Sequence, residues 1–285
     1  MDRLQLAIQK ARAQRAEAAH QPAPAAAPAA PGAAGPLRNA PATPAPATLW
    51  DDLEPLDSTA PALRRNRLIA VDRGRGAAPY DLLRTRMLHQ VRMNGWRRIG
   101  IVSPTSGCGK TTAAANLAFA FSRQADIRVM VLDFDLRRPK LAEILGQKPR
   151  HGMEDVLTGR IPFAEHGCRI GDNVALGLNN GPAHAPSELL QSQAAIQQIA
   201  TIEATYAPDL VLIDLPPMMA IDDSFGFLGN TDAALVMVAA EQSTMAEIEV
   251  TIRQIEELTQ VMGVILNKCR YTRGAYSYDS KGYYN

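Results

Sequence analysis

The stretch Ser103–Thr112, Ser-Pro-Thr-Ser-Gly-Cys-Gly-Lys-Thr-Thr, constrains this chain more than any other. The apolar run Arg98–Val102 precedes it and reads as a buried strand. The alanine-rich run Ala113–Phe121 follows it and reads as a helix. Strand, glycine loop, Lys-Thr and helix, in that order, make a phosphate-binding loop. Gly107 and Gly109 let the backbone turn its N–H groups inward toward an anion. Lys110 brings a point charge to the outer phosphates, the Thr111 hydroxyl can ligate Mg²⁺, and the helix adds its positive N-terminal end. The candidate nucleotide contacts are therefore Thr105, Ser106, Gly107, Cys108, Gly109, Lys110, Thr111 and Thr112. One position departs from the strict pattern: Pro104 stands where its first glycine belongs. Cys108, inside the loop, is either a small filler or a reactive thiol.

The 285 residues allow one large domain or two small ones, and a net charge of +1 gives no global electrostatic case for nucleic acid. No apolar run reaches the roughly 18 residues that read as a membrane span. The first residues are polar, without the apolar core of a signal peptide. Three scattered cysteines, Cys108, Cys168 and Cys269, argue against a disulfide framework and fit a reducing cytoplasm.

Along the chain, residues 2–19 have the spacing of a short amphipathic helix, with Leu4, Ile8 and Ala11 on one face and Arg3, Lys10, Arg12 and Arg15 elsewhere. It reads either as a docking helix or as a marginal, solvated one. Twenty of the thirty residues at 21–50 are Ala or Pro, so 21–78 is expected to be mostly disordered linker, its second half a strap over the folded domain. The ordered domain is expected to run over 79–270. It starts with a helix whose Leu83, Met87, Leu88 and Val91 share a face. Core strands are predicted at 98–102, 128–133, 209–214, 232–238 and 261–266, with an edge strand at 173–178. Helices are predicted at 139–145, 152–159, 187–206 and 244–258. Near-continuous apolar strands separated by helices specify an α/β fold, a mostly parallel sheet covered on both faces and P-loop NTPase-like. Ligands of such sheets bind at the carboxyl ends of the strands. Two of these strands end in an acid, Asp133 and Asp214. Mg²⁺ on a nucleotide triphosphate takes few carboxylates besides water and phosphate oxygens. Asp214 fits a metal role, and Asp133 can orient or deprotonate an attacking group.

The phosphate loop, Leu-Asp-Phe-Asp-Leu-Arg-Arg-Pro at 132–139 and Ile-Asp-Leu-Pro-Pro at 213–217 together resemble the bacterial tyrosine kinases, cytoplasmic autokinases of exopolysaccharide and capsule export. The resemblance covers about 79–285, and Asp-x-Asp-x-Arg at 133–137 is its most specific motif. It implies ATP and Mg²⁺ as cofactors. Lys110, Asp133, Asp135 and Arg137 would serve catalysis, Thr111, Asp133 and Asp214 the metal, and Asn267 the nucleotide base. It also implies a separate membrane polysaccharide co-polymerase or chain-length regulator as activator, a cognate tyrosine phosphatase, assembly with itself into a ring, and a place at the inner membrane through that partner. The family's Glu-x-x-Arg-x-x-Arg subunit motif is matched only loosely, by Asp81 and Arg84, with Met87 in the last place and an extra Arg86.

Five of the seven tyrosines, Tyr271, Tyr276, Tyr278, Tyr283 and Tyr284, fall in the last fifteen residues among glycine, serine and charge. No hydrophobic period explains them, and a hydroxyl-rich tail suits a phosphoryl acceptor. In the resembling family such a cluster is autophosphorylated between subunits. The other readings are a switch ATPase of the partitioning or septum-site type and a non-catalytic ATP-binding scaffold. The switch ATPases usually carry a second Lys where this chain has Thr105.

Overall fold

The computed structural model describes residues 47–57, 63, 65–74, 76–220 and 223–269. The expected helix at 2–19 and the tyrosine tail at 271–285 lie outside them. The described elements run α1 (Ala47–Asp51), β1 (Glu54–Pro55), α2 (Ala78–Asn94), β2 (Arg98–Val102), α3 (Lys110–Ser122), β3 (Val129–Asp133), α4 (Leu141–Leu145), α5 (Met153–Leu157), α6 (Phe163–His166), β4 (Cys168–Ile170), β5 (Val174–Gly177), α7 (Pro186–Gln191), α8 (Gln193–Tyr206), β6 (Leu210–Asp214), α9 (Asp223–Leu228), β7 (Ala233–Ala239), α10 (Met245–Glu256) and β8 (Gln260–Asn267).

The strands form one sheet in the order β1-β4-β5-β3-β6-β2-β7-β8. Every pairing is parallel except β4 with β5. Alternation of side chains across the pleat divides the core in two. Val129 and Val131 of β3 face a cluster with α2, α3 and α4. Met130 and Leu132 face the other cluster, with Trp50, α5, α7, α8, Phe227 and Ile255. This is the parallel sheet covered on both faces that the sequence predicts. Among the described residues no helix is long and apolar enough to cross a membrane.

Gly146 ends α4 with φ 70, and Thr244 and Glu247 close a capping box on α10. The helix predicted over 187–206 is instead two, α7 and α8. Ser192, at φ −72 and ψ 141, interrupts it, and its Oγ accepts from Ala195 N at 3.1 Å to cap the second helix. The strand predicted at the edge, now β5, is interior, because β4 and β1 pair beyond it.

The predicted domain start at Pro79 falls downstream of ordered structure. Trp50 of α1 is 1% exposed, donates Nε1–H to Tyr206 O at 2.9 Å and meets the Tyr206 ring edge-on. β1 extends the sheet by pairing with β4. Farther along, the segment before α2 is tied across α3 and α4. Asn66 Nδ2 donates to Ile144 O at 3.0 Å, Ala70 N to Asn116 Oδ1 at 2.9 Å, and Arg123 to Ala70 O at 2.6 Å. Asp81, of the loose subunit motif, is held within the chain by Arg84 at 3.2 Å and by Arg123.

Replacing a fully buried Trp by Ala costs about 3–5 kcal/mol. Trp50→Ala is therefore expected to lower urea-unfolding stability by about 3 kcal/mol. An unchanged midpoint would mean that α1 is not part of the cooperative fold.

Candidate functional site

β2 delivers the chain into the loop Ser103–Gly109 at the carboxyl edge of the sheet, and α3 begins at Lys110. Gly107 and Gly109 take φ 81 and 93, in the left-handed region open to glycine. A Cβ on Gly109 would stand 2.3 Å from Asn267 Nδ2. That amide donates to Cys108 O at 2.9 Å, so the last residue of β8 fastens the loop from the side. Lys110 is nearly buried, with Nζ donating to Ser103 Oγ at 3.1 Å. Ser103 in turn donates to Thr105 O at 2.7 Å. The backbone at Pro104 anchors a neighbouring segment. Its carbonyl accepts from Met219 N at 3.0 Å and the Ser103 carbonyl from Met218 N at 2.8 Å, so the segment after β6 tracks the loop entry.

Cys108 is buried, its Sγ within 3.3 Å of Thr105 O and 3.6 Å of Ser243 Oγ. Burial alone would raise its pKa, but hydrogen bonds with Ser243, Thr105 and Ser103 outweigh it and hold the thiol below its ordinary value. Ser243 also accepts from Ala239 N at 3.0 Å and so links the loop to the end of β7. Ser106 is exposed; Thr105, Thr111 and Thr112 are half-buried. Thr112 O accepts from Asn116 Nδ2 at 2.8 Å.

Asp133 and Asp214 occupy paired positions at the ends of β3 and β6, and both are fully buried. Asp133 accepts from Asp135 N and Leu141 N, each at 3.2 Å, while its carbonyl accepts from Asn179 Nδ2 at 2.8 Å. Neither carboxylate oxygen of Asp214 has a hydrogen-bond partner. Burial pushes the Asp133 pKa well above the carboxylate range, and the charge of Asp214 pushes it further, against the hydrogen bond from Leu141. Burial likewise pushes Asp214 up to about 6, against the attraction of Lys110 and the approach of the Thr111 hydroxyl. An unpartnered buried carboxylate calls for an explanation. Here the donors are oxygens only, and among the described residues no three His, Cys, Asp or Glu side chains form a closed metal cage. Two carboxylates and a hydroxyl beside an anion loop fit Mg²⁺, which keeps several waters and phosphate oxygens.

The structure thus brings Lys110, Thr111, Asp133 and Asp214 together. Asp135 is half-buried next to them and accepts from Arg138 N at 3.1 Å. Arg137 is exposed and reaches Ser187 Oγ at 3.4 Å. Asn267 touches the loop backbone. The five tail tyrosines lie outside the described residues. Ser103, Asn179 and Ser243 were not singled out from the sequence. Asn179 and Ser243 act through tertiary hydrogen bonds, which leave no local pattern, whereas Ser103 bonds within the loop itself, to Thr105 O and Lys110 Nζ.

A family model described as the CobQ/CobB/MinD/ParA nucleotide binding domain matches residues 99–279. The chain belongs to this family. Among curated relatives of this nucleotide-binding chain is the tyrosine-protein kinase wzc of Salmonella typhi, 35% identical over 184 residues, which cover 63% of this chain and 25% of that protein. The chain thus spans about a quarter of that relative's length. The tyrosine-protein kinase YwqD of Bacillus subtilis is 28% identical over 237 residues, 78% of this chain and 96% of that one. Among solved structures, the kinase domain of the Escherichia coli tyrosine kinase ETK superposes with a TM-score of 0.64 at 25% identity, covering 74% of this chain and 84% of that one. The resemblance read from the motifs is the one these comparisons return.

Two tests follow from this geometry. Gly109→Ala is strained by both its positive φ and the Asn267 amide, and is expected to weaken nucleotide binding at least tenfold in a fluorescent-nucleotide titration. Wild-type affinity would contradict the loop geometry. The second concerns Asp214. A carboxyl whose folded pKa lies near 6, against about 4 unfolded, binds its proton more tightly when folded. Stability is then full below pH 4 and falls as pH rises toward 6, by about 2–3 kcal/mol. Asp214→Asn removes this loss, so it is expected to gain stability relative to wild type between pH 4 and pH 7 in nucleotide-free urea unfolding. A difference that does not change with pH would contradict the burial of an uncompensated charge.

Proposed function

We propose that the chain is an ATP-dependent protein-tyrosine kinase whose acceptors are its own tyrosines Tyr271, Tyr276, Tyr278, Tyr283 and Tyr284. The observation that carries the reading is the unpartnered carboxylate of Asp214, paired with Asp133 and set beside Lys110 and Thr111. ATP would supply the transferred phosphoryl group and Mg²⁺ would neutralise its charge. The backbone N–H groups of 105–111 and the Lys110 ammonium would bind the phosphates. The Thr111 hydroxyl, Asp133 and Asp214 would hold the metal. Asp133, whose surroundings favour a bound proton, is suited to take the tyrosine hydroxyl proton, with Asp135 and Arg137 placing the incoming segment. Catalysis is then chiefly positioning and charge stabilisation. Asn267, at the rim of the loop, would face the base.

The relatives named as tyrosine-protein kinases support kinase chemistry over a nucleotide switch, as does Thr105 in place of a second lysine. We extend the reading to control of exopolysaccharide or capsule polymerisation and export. A separate membrane co-polymerase would serve as activator and inner-membrane anchor, self-association into a ring would bring tails to neighbouring sites, and a tyrosine phosphatase would reset the tail. ATP-binding to 79–270 and phosphorylation of 271–285 are the corresponding domain roles.

Incubation of the full chain with ATP, Mg²⁺ and the activator's cytoplasmic segment is expected to label the tail tyrosines, mapped by mass spectrometry. Lys110→Met is expected to reduce labelling at least a hundredfold with its unfolding midpoint retained. An unlabelled wild-type tail under these conditions would contradict the kinase reading. Persistent self-labelling of Lys110→Met would contradict the role given to the loop.

A further inference from the structure

Two strands flank the Asp133 end of β3, and only one of them holds it by backbone. On the β6 side Asp133 is paired with Asp214, and Phe134 N donates to Asp214 O at 2.9 Å. On the β5 side the register stops one residue short, at Leu132 opposite Gly177. The Asp133 carbonyl lies beyond that last rung, and a buried carbonyl needs a donor. It takes one from a side chain: Asn179 Nδ2 donates to it at 2.8 Å.

Asn179 is 5% exposed and serves a second element with the same amide. Its Oδ1 accepts from Met153 N, the first amide of α5, at 2.9 Å. A backbone N–H can only donate and a carbonyl can only accept, so these two partners fix which way the amide points. The approach is close: a Cβ on Gly152 would stand 3.4 Å from Asn179 Oδ1. Beside it, Asn180 Nδ2 donates to Arg150 O at 3.0 Å and fastens the chain entering α5. One buried side chain thus joins the ends of β5 and β3 to the start of α5.

We propose that Asn179 is a positioning residue for the Asp133 carboxylate. The carbonyl it holds belongs to the residue whose side chain leaves the sheet at this point. Rotation of that peptide would swing the carboxylate relative to Asp214 and Thr111, and Mg²⁺, with its near-octahedral demand, tolerates little of that. Asn179 therefore acts through Asp133 and not on the phosphates. The inference rests on the magnesium–nucleotide reading of Asp133 and deepens it by naming what keeps that acid in place.

Calorimetric titration of ATP into the full chain, with and without Mg²⁺, tests this on Asn179→Leu, Asp133→Asn and the double variant. Asn179→Leu fills the site but makes neither bond. Its ATP affinity without Mg²⁺ is expected to stay within about twofold of wild type. The Mg²⁺-dependent gain, about tenfold or more in wild type, is expected to fall below about threefold. Asp133→Asn is expected to lose the same gain, and adding Asn179→Leu to it is expected to change affinity no further, because residues that act as a unit are not additive. If Asn179→Leu lowers the unfolding midpoint, Asn179→Ser, which shortens the side chain and removes the amide donor, is read in the same way. A full Mg²⁺ gain in these Asn179 variants, alongside its loss in Asp133→Asn, would overturn the proposal. So would a loss as large without Mg²⁺ as with it, or one that adds to that of Asp133→Asn, since either marks a purely structural role. A wild type with no Mg²⁺ gain would contradict the magnesium reading itself, and the proposal with it.

Discussion

Two buried carboxylates sit side by side where β3 and β6 end, and one of them, Asp214, has little beyond the Lys110 charge and the Thr111 hydroxyl to balance it. Burying an unpaired charge is among the costliest things a fold can do. The pairing of β3 with β6 sets Asp133 against Asp214, and each strand is held by apolar side chains on both faces. Neither acid can move to water without breaking that core. The strain is concentrated where the sheet meets the phosphate loop, at an edge where a cation and an anion could relieve it together. The raised pKa values follow from this placement.

The loop is shaped from several directions. Asn267 binds it from β8, Ser243 from the turn after β7, and Met218 and Met219 from the segment after β6. On the far side of α3, Asn116 joins Thr112 O to Ala70 N and so couples the helix that starts at Lys110 to the segment preceding α2. The P-loop is therefore a joint product of four strands, and its glycines supply only the freedom to adopt the shape those contacts demand.

The residues of the candidate site were legible because each part has a local signature. Gly-Cys-Gly-Lys-Thr-Thr follows one apolar run, and Asp133 and Asp214 end two others. A continuous run of good helix formers from Ser187 to Tyr206 hid the break at Ser192, because an inner cap needs only one side chain and one backbone turn. β1 and β4 are two and three residues long, too short for alternation to register, and without them β5 looked like an edge. Trp50 stands at the end of an Ala/Pro-rich tract, and composition outweighed the one residue that shows where packing resumes. Asn179 and Ser243 were invisible because their work is done across long sequence separations.

Calorimetric titration of ATP, with and without Mg²⁺, in two buffers of different ionisation enthalpy at pH 6 tests the central claim most directly. If Asp214 and Asp133 await the metal, Mg²⁺ should tighten ATP binding at least tenfold and displace a substantial fraction of a proton near the Asp214 pKa of about 6, with release fading toward pH 8. ATP affinity indifferent to Mg²⁺, with no proton released at either pH, would contradict the assignment of these acids to a magnesium–nucleotide site.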